Sequence, residues 1–198
     1  MKKLLVFALL ALFSISSYAQ KDWHMSVNLS GSAPASTAFG DLYKTGFGSS
    51  LRIERRLNHR WDITGEIGGN IHSGQDLTLV VTGPTGVAIG DFKYPNMNIY
   101  NYRVGARFRA AGQFYLTTDL GMSSYITDDF AIVRDRATAQ TFSIPVTLST
   151  SDFSLSHGIG YLFKIGEDNG IDLGLRLDWS PGNSLSSLQF RAGYRFGI

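Results

Sequence analysis

Acid–base chemistry near neutral pH falls first to imidazole, and this sequence holds four: His24, His59, His72 and His157. His157 is the one with nucleophiles close by, at Ser154 and Ser156. A serine, a histidine and an acidic partner could together cleave or transfer an acyl group. Adjacent residues of an extended chain point to opposite sides, however, so Ser156 and His157 are expected back to back. Nor does Ser156-His157-Gly158 match a lipase-type motif. His24 near the start of an extended segment, His59 in a tight turn and His72 at a segment end need only solvated or interfacial roles. The carboxylate pairs Asp62 with Glu66 and Asp172 with Asp178 each share one face of a strand. Arginines share that face, so the pattern points to structural ion pairs rather than acid–base catalysis. Asp41, Asp128, Asp129 and Asp135 crowd the longer connections without the regular spacing of a calcium loop. The chain has no cysteine, which leaves no disulfide and no thiolate metal site, and on these readings no catalytic residue, metal site or cofactor is expected.

The elements that would position these groups are strands. Eight segments alternate apolar with polar residues at a period of two, in the neighbourhoods of residues 23–29, 47–54, 61–71, 100–108, 114–123, 152–163, 171–179 and 188–198. Tight turns rich in Gly, Asn and Asp fall at 56–60, 110–113 and 166–170. Long excursions lie near 30–45, 72–96 and 126–149, with a shorter one near 180–187. Short turns on one rim and long loops on the other predict an all-β, eight-stranded, antiparallel up-and-down barrel.

A soluble carrier barrel of the lipocalin kind would alternate equally well, with its apolar face inward. The direction comes from what each face carries. On the apolar face, Trp23, Trp61, Phe108, Phe114, Phe163 and Phe196 fall at the short-turn ends. Phe47, Tyr100, Tyr102, Phe153, Trp179 and Phe190 fall toward the long-loop ends. Two aromatic girdles with aliphatic residues between them suit a bilayer with two interfaces. The polar face mixes Arg52, Arg103, Arg107, Arg176, Arg191 and Arg195 with Glu54, Asp62, Glu66, Asp119, Asp172 and Asp178, and adds Arg56, Arg109, Lys164 and Asp152. Near balance is what a closed interior needs, since a lone buried charge is costly. Arginine, with its planar fork, suits paired carboxylates better than lysine does. Such filling also argues against a general diffusion pore. Arg55, beside a turn, and His157, near the middle of its strand, depart from the apolar pattern.

Met1-Lys2-Lys3, an apolar run of 10 residues from Leu4 to Phe13, and small residues before Gln20 read as a signal peptide over 1–19, leaving a barrel domain over 20–198. Removal of Lys2 and Lys3 leaves 16 basic and 16 acidic residues, which argues against nucleic acid as a partner.

The stretch Ala192-Gly193-Tyr194-Arg195-Phe196 resembles the terminal aromatic signal read by the barrel assembly machinery, although Gly197 and Ile198 follow the aromatic here. With the architecture, it makes the chain similar to the eight-stranded outer-membrane proteins of the OmpA transmembrane-domain and OmpX type. The resemblance implies a Gram-negative outer membrane, a periplasm-facing N-terminus, a lumen plugged by ion pairs, and contact with outer-membrane lipid and lipopolysaccharide. It favours the stand-alone kind without a peptidoglycan-binding domain. Residues 76–81 and 87–92 flank a turn and would form a hairpin above the membrane, and 130–134 with 141–148 would form another. Those segments could instead be extra membrane strands; at about six residues they are too short, and eight is the expected number. Exposed strand edges can recruit an extracellular partner by β-addition. The expected function is therefore non-enzymatic, with a structural, adhesive or surface-recognition role. A lipid-modifying enzyme of the lipid A deacylase or acyltransferase type and a narrow solute channel are the alternatives.

Overall fold

The computed structural model describes residues 22–83, 86–138, 140–182 and 184–198; the leader expected over 1–19 lies outside them. The strands are β1 (Trp23–Pro34), β2 (Tyr43–Arg56), β3 (Trp61–Gly74), β4 (Asp76–Gly83), β5 (Gly86–Lys93), β6 (Met97–Ala111), β7 (Phe114–Asp135), β8 (Thr141–Lys164), β9 (Gly170–Ser180) and β10 (Leu185–Gly197), with one short helix, α1 (Thr37–Gly40). Eight of them close a ring in the order β1-β2-β3-β6-β7-β8-β9-β10, every neighbouring pair antiparallel. Among the described residues no helix is long and apolar enough to cross a membrane. Closure leaves the ring without an edge, so its backbone donors and acceptors are met internally, as lipid demands.

Alternation translates directly into two faces. On β1, Val27 and Leu29 are exposed on the outer wall while Ser26 and Asn28 are buried inside. On β3, Ile63 and Ile67 face out while Asp62, Thr64 and Glu66 face in. Outward apolar residues are exposed because their solvent is lipid. The tight turns use glycine where the chain must bend sharply: Gly112 and Gly166 sit at φ +58° and +105°, conformations that cost other residues strain. Gly160 serves a different purpose. A Cβ there would strike the hydroxyl of Tyr115, so glycine makes room for that ring in the lumen.

The long excursions depart from simple loops. Residues 126–149 continue β7 and β8, which stay paired from Phe114 opposite Tyr161 to Arg134 opposite Thr141. Ile126, Phe130, Ile132 and Val133 on one side, and Phe142, Ile144 and Val146 on the other, favour extended pairing without help from lipid. Residues 72–96 contain the expected hairpin, β4 with β5, which docks on the top of β7 through residues 90–93. These additions stand above the ring and leave its count at eight. The excursion at 30–45 is also shorter than the sequence suggests: β1 runs to Pro34 and β2 resumes at Tyr43, with only α1 and its flanks between.

Candidate functional site: a charge-filled lumen

The lumen is built by inward positions of all eight ring strands. The twelve charged residues expected there, six arginines and six carboxylates, are all buried. They gather into two knots. In the upper one Glu66 of β3 is the hub: Arg52 Nε and Arg191 Nη1 each lie 2.8 Å from its Oε2, and Arg176 Nη1 lies 2.5 Å from Oε1. Arg52 continues to Asp119 at 2.6 Å, whose other oxygen accepts from Thr64. Asp178 ties in Arg103 and Arg176, both at 3.1 Å, and accepts a hydrogen bond from Gln189. In the lower knot Glu54 of β2 joins Arg107 of β6 and Arg195 of β10, both at 2.8 Å. Arg107 also meets Asp172 at 2.6 Å, and the Tyr115 hydroxyl donates to the same carboxylate. Asp62 closes the set with Arg109 at 2.7 Å. Each of these six carboxylates is thus held by at least one guanidinium.

Above the knots lies an apolar cap that the sequence reading passed over. Phe39 from α1, Tyr43, Met97, Ile99 and Tyr125 form a buried cluster at the extracellular end. The ring of His72 packs 4.8 Å from Phe39, its Nε2 lies 2.9 Å from Ser32 Oγ and its Nδ1 3.0 Å from the Lys44 carbonyl. Met97 and Ile99 have the parity of the polar face while being apolar, which was the available signal. His72 and His24 correct the expectation of solvated or interfacial roles: both are 1% exposed or less, inside the barrel. Each alternates with an outward apolar neighbour (Trp23 and Met25 around His24, Ile71 before His72), which turns it inward. His59 is exposed in its turn, as expected.

His157 lies on the outer wall, exposed, with Nδ1 3.2 Å from the Thr118 hydroxyl opposite it. Ser154 and Ser156 are fully buried on the lumen side, so neither of these serines approaches the imidazole. The aromatic positions fall on the outer wall: Trp61, Phe114, Tyr100, Tyr102 and Trp179 are exposed, and Trp23, Phe108 and Phe196 partly so. At the short-turn end Trp61 packs against Phe108 with rings tilted at 45° and centroids 4.8 Å apart, and Arg55 sits 5.5 Å over Trp23, which gives that outward arginine a place at the interface.

A closed eight-stranded antiparallel ring with an apolar outside, a charged inside, short turns at one rim and long strands at the other defines a small outer-membrane β-barrel. The chain belongs to that family: the model of the outer membrane protein beta-barrel domain matches residues 5–196. No curated protein matches the sequence. Among solved structures it is similar to Ail, the attachment invasion locus protein of Yersinia pestis, at 18% identity and TM-score 0.51, covering 90% of this chain and 100% of that one. It is also similar to Neisserial surface protein A, at 11% identity and TM-score 0.50, covering 89% and 97%. The N-terminal β-barrel domain of Pseudomonas aeruginosa OprF is similar at 9% identity and TM-score 0.50, covering 87% and 97%. The protein resides in the outer membrane of a Gram-negative bacterium, with its short turns in the periplasm and its long strands outside.

Proposed function

We propose that the protein is a non-enzymatic surface-recognition barrel that binds an extracellular protein by strand addition. The observation that carries this is the bare edge of β8. Residues 141–154 pair with β7, but β9 joins β8 only from Leu155 onward. The open edge is on the order of 45 Å long at ~3.3 Å per residue. Among the described residues no further strand joins β8 over this stretch, and a sheet edge of this kind can template an incoming strand.

The edge has a readable polarity. Asp135 N donates to Gln140 O, and Leu162 N to Gln113 O. Even-numbered β8 residues therefore address β7, and odd-numbered ones address the open side. Pro145, odd and lacking an N–H, costs the β7 ladder nothing and interrupts the edge, a usual guard against indiscriminate pairing. Ser149→Pro should remove one more edge donor without touching the ladder, and Pro145→Thr should restore one.

Ail, similar in fold, was solved with the heparin analogue sucrose octasulfate, which makes a sulfated polysaccharide the competing ligand. A lateral backbone edge favours a polypeptide. The test is adhesion of cells displaying the protein to immobilised extracellular-matrix protein. Adhesion should fall toward the empty-vector level in Ser149→Pro, rise in Pro145→Thr, and resist soluble heparin. Adhesion that Ser149→Pro leaves unchanged, or that heparin abolishes, refutes strand addition.

A further inference from the structure

We propose that the periplasmic mouth of the barrel is a binding site for a phosphate-class dianion. Below the lower knot the lumen opens to the periplasm as a cavity of about 350 Å³. It is blind. Its ceiling is Arg107, lying 4.0 Å over the Tyr115 ring and pinned to Glu54 and Asp172.

Charge distinguishes this mouth from the rest of the lumen. The twelve buried groups above and around it are balanced, six against six. The mouth adds Arg56, Arg60, Arg109 and Lys164 against Glu167 and Asp168, an excess of two cations. Arg109 is taken by Asp62. Arg56, Arg60 and Lys164 make no salt bridge among the described residues.

An independent observation points to a missing acceptor. Nε of Arg56 and Nη2 of Arg195 are buried N–H donors without a hydrogen-bond partner, and Arg195 is only 4% exposed. Buried guanidinium donors left unpaired are costly. Both residues line the cavity, so an oxyanion seated at its inner end meets both. A phosphate group fits best: its charge offsets the excess of two, and its several oxygens can accept from two guanidinium forks and an ammonium together. The cavity also has room for a small organic moiety attached to it. The group can come from a soluble phosphate compound of the periplasm or from the headgroup of an inner-leaflet lipid reaching over the rim.

The protein refolded in maltoside micelles, which carry no phosphate, should bind inorganic phosphate or pyrophosphate saturably by calorimetry at fixed ionic strength in chloride. Arg60→Gln combined with Lys164→Gln should weaken binding by about tenfold or more, as expected for lost charge-assisted contacts. Asp168→Asn should tighten it. Heat-modifiable migration of every variant reports that the barrel is intact. Repeating the titration in phosphatidylglycerol nanodiscs separates the sources: weakened phosphate binding there assigns the site to lipid headgroups, and unchanged binding assigns it to soluble compounds. Absence of saturable binding in micelles, or binding indifferent to the double variant and to Asp168→Asn, overturns the proposal.

Discussion

At the scale of the residue, Glu66 is the most consequential side chain of the lumen. Three arginines from three strands converge on it at 2.5–2.8 Å, and it is 3% exposed. Glu66→Gln keeps the shape and removes the charge, leaving buried guanidiniums short of a counter-ion. The expected loss is about 3–5 kcal/mol, read as a lower urea midpoint for unfolding from lipid bilayers. Asp62→Asn should cost much less, about 1–2 kcal/mol, because its partner Arg109 is 24% exposed and can turn to water. Equal losses at the two sites would mean that the knots act as a diffuse charge reservoir rather than through hubs. The parity of these residues made them legible in the sequence as inward groups. Which arginine meets which carboxylate was not legible. Glu66 meets Arg176 and Arg191 across separations of 110 and 125 residues, set by barrel closure and stagger rather than by any local pattern.

At the scale of the element, the β4–β5 hairpin is the least secured part of the described sheet. It meets β7 through four register pairs, and a clasp from the β7–β8 turn supplements them: Arg136 reaches Asp91 at 2.5 Å and the Thr78 hydroxyl at 3.1 Å. Hydrogen bonds from Arg136 hold the Asp91 carboxyl below its ordinary range. A depressed carboxylate contributes at pH values above its unfolded pKa of ~4 and loses that contribution as pH falls through its folded value. Hydrogen exchange should therefore find hairpin amide protection flat from neutral pH to about pH 5 and falling below pH ~4. Arg136→Gln should lower protection in the hairpin at neutral pH without changing the barrel strands; unchanged protection would assign the docking to the backbone pairs and to the Lys44–Asp76 bridge at the hairpin's base. Element lengths were the weakest part of the sequence reading, for a physical reason. The alternation that marks a membrane strand is imposed by having lipid on one side and lumen on the other. Above the membrane β7 and β8 lose that constraint, so the sequence offers only a separate hairpin at 130–134 and 141–148, where the structure pairs those residues as continuations of the membrane strands.

At the scale of the whole molecule, the barrel is sealed in series. The apolar cap closes the extracellular end, the Glu66 knot fills the middle, and the Glu54 knot roofs the periplasmic cavity. Arg107 lines the inner end of the periplasmic cavity, and Phe39 is buried in the cap at the other end. A single opening is insufficient for conduction, because an ion passing one barrier next meets a lumen filled by paired charges a few ångströms apart. Planar bilayers containing the protein should therefore show no steady conductance steps. Phe39→Gly should remain silent, since it unseals only the cap. Conductance should appear only when Phe39→Gly is combined with Glu66→Gln and Glu54→Gln, which loosen both knots below it. Steady steps from the unaltered protein would mean that the knots rearrange on their own, and that the ion pairs serve as a gate rather than as a plug.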